Sequence, residues 1–205
     1  MAKKSTKTRN LREDCIVEAL SIIGEDGLEN LSLREVARRV GVSHQAPYKH
    51  FENREHLLAE VVGRCFDAFS KHLHTRKLTG DPTEDLASLG NAYIRYALNH
   101  PLEYRLMFGT SLPDPDKYPA MLEKAQYAYA ILRDMLTQLF AANSRQKGAD
   151  ADLDAFFVWA TMHGLATVLK SPSLATLPVT PSKLGKALPH AFQRVRAALK
   201  ADLPA

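Results

Sequence analysis

The chain has 205 residues and a formal net charge of +4, and 45% of its residues are hydrophobic. This length suits one or two domains with a real core, and the small positive charge does not by itself indicate nucleic-acid binding. No run of about 18 apolar residues predicts a membrane span, no early apolar segment predicts a secretory signal, and Cys15 and Cys65 are too few for a disulfide scaffold. We therefore expect a cytoplasmic protein whose cysteines are buried small side chains; a redox role is the alternative.

The N-terminal segment is basic and leads into the first predicted helix, about residues 8–25. It contains no acidic residue among its first twelve, and its charges are Lys3, Lys4, Lys7, Arg9 and Arg12. Such a segment is either a solubilising tail or an arm that contacts phosphates. The helix has one apolar face, formed by Leu11, Cys15, Ala19, Leu20 and Ile23.

Residues 32–51 carry the most informative pattern in the chain. Ser32 and Glu35 form an S-x-x-E capping box, which predicts a helix that starts at about Leu33. Gly41 occupies the position at which a chain leaves a helix through positive φ, and Ser43 is a suitable N-cap for a second helix. Two helices joined by a short turn with a glycine are typical of a helix-turn-helix, whose second helix enters the DNA major groove. DNA binding is therefore the leading hypothesis.

The rest of the chain is a series of predicted helices separated by proline-rich or polar breaks. Asn53 caps a long helix, about residues 54–77, and two further helices follow the break at residues 79–82 and Pro101. Later helices are predicted at about residues 120–141, 150–170 and 182–200, and the helix at 150–170 is apolar on nearly all sides. The predicted fold is all-α. It combines a three-helix DNA-binding head with its basic arm, residues 1–56, and a helical body, residues 57–205.

The motifs of the head resemble the TetR (tetracycline-repressor-like) family of transcriptional regulators. The family pattern is similar to VGVS at residues 40–43, YKHF at 48–51 and NRE at 53–55. In the body, residues 99–109 and 159–165 resemble the branch of the family with a Trp-His-Gly C-terminal domain. Three residues depart from the pattern: Arg54 replaces the usual Lys, Gln45 a common Gly, and Pro47 an apolar residue. Pro47 lacks an N–H and removes one early hydrogen bond if the helix starts after Ser43.

Roles at DNA follow from this resemblance and from side-chain chemistry. The resemblance implies that Tyr48 and His50 contact phosphates, although His50 alternatively caps the following loop. Arg54 begins a helix, where the dipole favours an anion. His44, Gln45 and Lys49 suit base edges, whereas Ser43 and Ala46 suit a hydroxyl contact and a thymine methyl. The complete predicted DNA-binding set is Ser32, Arg34, Ser43, His44, Gln45, Ala46, Tyr48, Lys49, His50 and Arg54.

The resemblance also implies a body that binds a small effector and releases the head from DNA. The predicted effector-binding residues are Tyr93, Tyr96, Met107, Phe108, Tyr127, Trp159, Met162 and His163. Each is alternatively ordinary core, and Trp159 with His163, one helical turn apart, is alternatively a structural pair. Arg95 and Arg105 either attract an acidic effector or are simply solvated.

A homodimer that binds palindromic half-sites is expected, because one recognition helix covers only a few base pairs. The helix at 150–170 and the last helix would form a four-helix interface with their mates. The apolar residues of the last helix are Leu184, Leu188, Phe192, Val195 and Leu199. Their alternative place is the core of the same chain.

Two other classes of function are less well supported. An enzyme would need a nucleophile and base at convergent spacing, phosphate-loop glycines or HExxH, and none of these patterns occurs. His72 and His74 point to different helix faces and make a poor metal pair, so neither a cofactor nor a metal is expected. A DNA-binding architectural protein without an effector is the better rival to a repressor.

Overall fold

The structure, a computed structural model, describes residues 10–142 and 150–200. Lys3, Lys4, Lys7 and Arg9 of the predicted basic arm, and the polar loop at residues 143–149, lie outside the described residues. Within the described part the chain forms helices and no strand, which confirms the all-α prediction. The α-helices are α1 (Leu11–Asp26), α2 (Leu33–Val40), α3 (Arg54–His74), α4 (Pro82–Asn99), α5 (Pro101–Phe108), α6 (Pro119–Ala141), α7 (Ala151–Lys170), α8 (Pro181–Leu184) and α9 (Ala187–Ala198).

The contacts divide the chain into two compact units. The first contains the residues up to Phe66 together with Arg105–Lys124, and the second contains Asp67–Tyr104 and the residues from Ala125 onward. The first unit therefore includes a segment, Arg105–Lys124, that the predicted boundary at residue 57 assigns to the body. Helices α3, α5 and α6 contribute residues to both units.

Local capping chemistry sets the ends of the helices in the first unit. The Ser32 hydroxyl accepts a hydrogen bond from the Glu35 N–H at 3.1 Å, and Gly41 ends α2 with a φ of 75°, as predicted. Asn53 caps α3 by accepting from the His56 N–H at 2.8 Å. The α3 helix ends at His74, three residues earlier than predicted.

The core of the first unit is formed by α1, α2 and the start of α3. The buried residues of α1 are Cys15, Ile16, Ala19, Ile22 and Ile23. Leu11 and Leu20, which were predicted to be on this face, are only half-buried, whereas Ile16 and Ile22 were missed. Cys15 and Cys65 are buried, as predicted. The apolar stripe of α3 is buried in both units: Leu57, Leu58, Val61, Val62 and Cys65 in the first, and Phe69 and Leu73 in the second.

One predicted feature of the second unit is wrong. The last helix is not continuous: α8 ends at Leu184 and α9 begins at Ala187. Pro189 explains the break, because a proline at the third position of α9 cannot donate a hydrogen bond to the carbonyl of Gly185. Within a single protomer, several large apolar residues of α7 are exposed, on the helix that was predicted to pair with its mate. These are Leu153, Phe156, Phe157 and Val168.

Candidate nucleic-acid interface and effector site

An ionic cluster fixes α2 against α1 in the first unit. The Arg39 guanidinium donates to Glu25 at 2.5 Å and to Glu35 at 3.1 Å, and it also bonds Asp26. The hydrogen bonds from Arg38 and Arg39 lower the pKa of Glu35 to about 2. Most of the Arg39 side chain is shielded from solvent, so this arginine is a structural anchor for the C-terminal end of α2.

The recognition segment (residues 43–50) follows the turn at Gly41. The prediction of a regular helix after Ser43 is wrong: the segment forms a turn and then a short 3₁₀ helix, Pro47–Lys49. Pro47 accounts for this difference, since it has no N–H to donate to the Ser43 carbonyl, and that carbonyl accepts from the Ala46 N–H at 2.9 Å instead.

The recognition segment is anchored by buried side chains and presents polar side chains to solvent. Pro47 and Phe51 are buried, and the Phe51 N–H donates to the Pro47 carbonyl at 3.0 Å. Ala46 is half-buried. The exposed side chains of the segment are Ser43, His44, Gln45, Tyr48, Lys49 and His50. A short anchored turn with this polar surface is suited to contacting the edges of base pairs and the phosphate backbone.

The other predicted DNA-binding residues have different surroundings. Ser32 uses its hydroxyl as the N-cap of α2, and Arg34 is exposed on the first turn of that helix. Arg54 donates from Nε to the Leu31 carbonyl at 2.8 Å and from Nη2 to the Leu28 carbonyl at 2.5 Å. No contact in the structure tests the phosphate contact that the sequence predicts for Arg54, and no pattern in the sequence marks these two carbonyl partners.

The second unit contains a polar cluster among aromatic side chains. The hydroxyl groups of Tyr93 and Tyr104 lie 2.9 Å apart, and both lie close to His163 Nδ1, at 3.1 and 2.7 Å. Since Nδ1 has only one lone pair or one proton, one phenol bonds the ring and the other bonds its neighbour. The Trp159 indole also hydrogen-bonds Tyr93. Lys170 Nζ lies 4.9 Å from the centre of the Tyr104 ring.

Burial dominates the electrostatics of this cluster. It raises the pKa of Tyr104 to about 12 and that of Tyr93 further, so both phenols are neutral. It lowers the pKa of His163, so the neutral form of this ring is favoured. Tyr104 and Lys170 were absent from the predicted effector-binding set. Lys170 follows His163 by two turns of α7, whereas no spacing rule links Tyr104 to His163.

The remaining predicted effector-binding residues are dispersed. Tyr96 is buried and stacks on His100 at 4.5 Å, and Tyr127 is exposed with its hydroxyl 2.9 Å from His74 Nε2. Met162 is buried near Gly90. Met107 and Phe108 belong to the first unit. The described contacts thus bring together Tyr93, Trp159 and His163 from the predicted set.

The lowered pKa of His163 predicts a stability that falls in acid. A histidine whose folded-state pKa lies below its unfolded value of about 6.5 makes its full contribution to stability above about pH 6.5. This contribution is lost as the pH falls from about 6.5 through the folded-state pKa. We expect the free energy of unfolding, measured with urea between pH 7.5 and 5, to fall more steeply for the wild type than for His163→Gln. His72, whose pKa is also lowered by burial, is common to both proteins. Parallel curves would contradict this prediction.

Two family models match the chain. The model described as bacterial regulatory proteins of the tetR family matches residues 16–61, which include α2 and the recognition segment. The model described as the tetracycline repressor-like C-terminal domain matches residues 86–192, more than half of the chain. The chain belongs to the TetR family. This result confirms the family predicted from the motifs of the head, and it makes the chain a member of a family of DNA-binding transcription regulators.

Individual relatives agree with this assignment. A helix-turn-helix transcriptional regulator of Mycobacterium bovis is 26% identical over 117 residues, which cover 52% of this chain and 49% of the relative. The chain spans about half the length of the curated relatives it matches. A protein of unknown function from Rhodococcus sp. RHA1 is 26% identical with a TM-score of 0.78, and the match covers 97% of this chain and 100% of that one.

More distant TetR-fold structures share the fold alone. The regulator FadR of Bacillus subtilis, solved in complex with stearoyl-CoA, is 16% identical with a TM-score of 0.66, and the match covers 94% of this chain and 99% of FadR. Among the described helices of the present TetR-family chain, none is long and apolar enough to cross a membrane.

Proposed function

We propose that this TetR-family chain represses transcription by binding a palindromic operator as a homodimer, and that a small-molecule effector releases it. The observation that carries the DNA-binding part is the recognition segment, in which buried Pro47 and Phe51 anchor six exposed polar side chains. A target on chromosomal DNA places its work in the cytoplasm.

We divide the exposed residues of the recognition segment by their chemistry. Lys49 donates to guanine O6 and N7, and Gln45 pairs with adenine. The Tyr48 hydroxyl and the His50 ring donate to phosphate oxygens and set the register without reading sequence. The additional contacts that we propose come from Ser32, Arg34, Ser43, His44 and Ala46.

Substitutions at two adjacent positions test this division. We expect Tyr48→Phe, which removes only a hydroxyl, to weaken binding equally on all duplexes. We expect Lys49→Ala to weaken binding chiefly to the preferred duplex, with a loss of discrimination of about 1–3 kcal/mol at one base pair. The measurement is fluorescence anisotropy with a duplex selected from random sequence and its single-base variants. A uniform loss from Lys49→Ala would reject the base-reading role.

The exposed face of α7 supports the homodimer. Four turns of this helix present Leu153, Phe156, Phe157, Ala160, Gly164, Thr167 and Val168 to solvent. No charge interrupts this stripe, and exposed apolar patches of this kind mark interaction surfaces. Ala160 and Gly164 lie one turn apart at its centre, where small side chains let a second helix approach closely. Nothing lies within 4 Å of a Cβ added at Gly164.

The part played by α9 in the homodimer is narrower than the sequence suggests. Val195 and Leu199 are buried within the chain, and Phe192 is half-buried against Gly90. These contacts favour the intramolecular alternative for three of the five apolar residues of the predicted last helix. We therefore propose that α7 supplies the apolar centre of a four-helix interface and that α9 contributes polar residues at its edge.

The polar cluster in the second unit supports a sensor. Tyr93, Tyr104 and His163 place three hydrogen-bonding groups side by side in the helical second unit. A useful effector must bind the free and DNA-bound states with affinities that differ by about 1–3 kcal/mol. A compound that raises the melting temperature of the protein and lowers its affinity for the operator would support the proposed repressor. If no compound releases the protein from the operator, the alternative of an architectural DNA-binding protein is favoured.

A further inference from the structure

Arg54 links the two ends of the helix-turn-helix. It is the first residue of α3, three positions after Phe51, yet its guanidinium contacts the loop that precedes α2. Nε donates to the Leu31 carbonyl at 2.8 Å, and Nη2 donates to the Leu28 carbonyl at 2.5 Å. Leu31 is buried and directly precedes Ser32, the N-cap of α2.

These bonds use one edge of a planar group. Nε and Nη2 lie side by side on the guanidinium, so the two carbonyls fix both its position and its orientation. Hydrogen bonds from a charged donor are roughly twice as strong as neutral ones, and the bond to Leu31 is partly buried. The Arg54 side chain therefore connects the residues just before and just after the segment from Ser32 to Asn53, which contains the recognition segment.

We infer that Arg54 is a positioning residue for DNA recognition: it ties the start of α3 to the start of α2 and thereby orients the recognition segment, without binding phosphate. Arg39 secures the opposite end of α2 through Glu25 and Asp26, so an arginine holds each end of this helix. The inference rests on the proposed DNA-binding function. Arg54 stands where the family usually has a lysine, and this difference matters for the inferred role. The ammonium group of a lysine keeps the charge, but it cannot hold two carbonyls in a fixed geometry.

The test separates position from charge. It compares full-length wild type with Arg54→Ala, Arg54→Lys and the control Arg34→Ala, which removes an exposed arginine from the first turn of α2. Each protein is titrated with a duplex that the wild type selects from a random pool, and with a scrambled duplex of equal length. Titrations run from 50 to 200 mM salt, because each phosphate contact contributes about 0.9 to the slope of log affinity against log salt.

We expect Arg54→Ala and Arg54→Lys to weaken binding to the selected duplex by about tenfold or more. Their salt slopes stay at the wild-type value, and their affinity for the scrambled duplex changes by less than about twofold, because non-specific binding depends on charge rather than on orientation. Arg34→Ala is expected to weaken binding to both duplexes and to reduce the salt slope by about 0.9. Circular dichroism checks the helix content of each variant, and Arg54→Lys carries the comparison if Arg54→Ala unfolds.

Two results would overturn the inference while leaving the proposed function intact. One is wild-type affinity in Arg54→Lys, with a slope reduced only in Arg54→Ala, which would make Arg54 a phosphate contact. The other is unchanged affinity for the selected duplex in both Arg54 variants. A wild-type chain that selects no duplex would overturn the proposed function, and this inference with it.

Discussion

Phe51→Ala is expected to lower the free energy of unfolding of the first unit by about 3–5 kcal/mol. The ring of Phe51 is completely buried, and its removal leaves a cavity below the recognition segment. His56 and His50 lie at its edges, with ring centroids 5.9 and 6.3 Å away, and these polar rings do not refill an apolar space well. The total free energy of unfolding of a small domain is about 5–15 kcal/mol, so this loss is a large fraction of its stability.

Native-state hydrogen exchange in α2 and at the start of α3 measures this loss in the unit that contains Phe51. The matched control is Tyr48→Ala, three residues earlier, where the side chain is 48% exposed. We expect the control to change stability by no more than about 0.5 kcal/mol while it weakens DNA binding. Equal protection in wild type and Phe51→Ala would contradict the anchoring role of this ring.

Local chemistry made much of the first unit predictable. The cap at Ser32, the positive φ of Gly41 and the cap at Asn53 each depend on residues only a few positions apart, and all three are found in the structure. The missing N–H of Pro47 is evident from the sequence, but the extent of its effect on the following turn is not. A proline four residues after Ser43 replaced a regular helix by a 3₁₀ turn.

Contacts between distant residues were not predictable in the same way. Arg54 reaches carbonyls 23 and 26 residues earlier in the chain, and His163 Nδ1 lies within hydrogen-bonding distance of phenols 70 and 59 residues earlier. Backbone carbonyls occur at every position, so no sequence pattern marks the two that Arg54 selects. The aromatic residues of the body were similarly recognisable as a group, whereas their separation into one polar cluster and several isolated pairs depends on how the helices pack.

Gly164→Arg is expected to convert the proposed homodimer into a monomer. Gly164 lies at the centre of the exposed stripe of α7, and a partner helix that approaches Ala160 and Gly164 leaves no room for a long charged side chain. Burial of an unpaired guanidinium against Phe157 and Val168 adds a desolvation penalty of several kcal/mol. Within the protomer the same substitution is harmless, because nothing lies within 4 Å of the added Cβ.

The intrinsic helix preference sharpens this expectation. Arginine stabilises a helix interior by roughly 0.5–1 kcal/mol relative to glycine, so Gly164→Arg is expected to melt no lower than a wild-type protomer. Sedimentation equilibrium at micromolar concentration measures the mass. The control is Gln126→Arg, which adds the same charge at an exposed position of α6 and is expected to remain dimeric. A monomeric wild type would reject the proposed homodimer. If instead Gly164→Arg keeps the mass of a dimer, α7 is not the interface, and another part of the chain must set the spacing of the two heads on one operator.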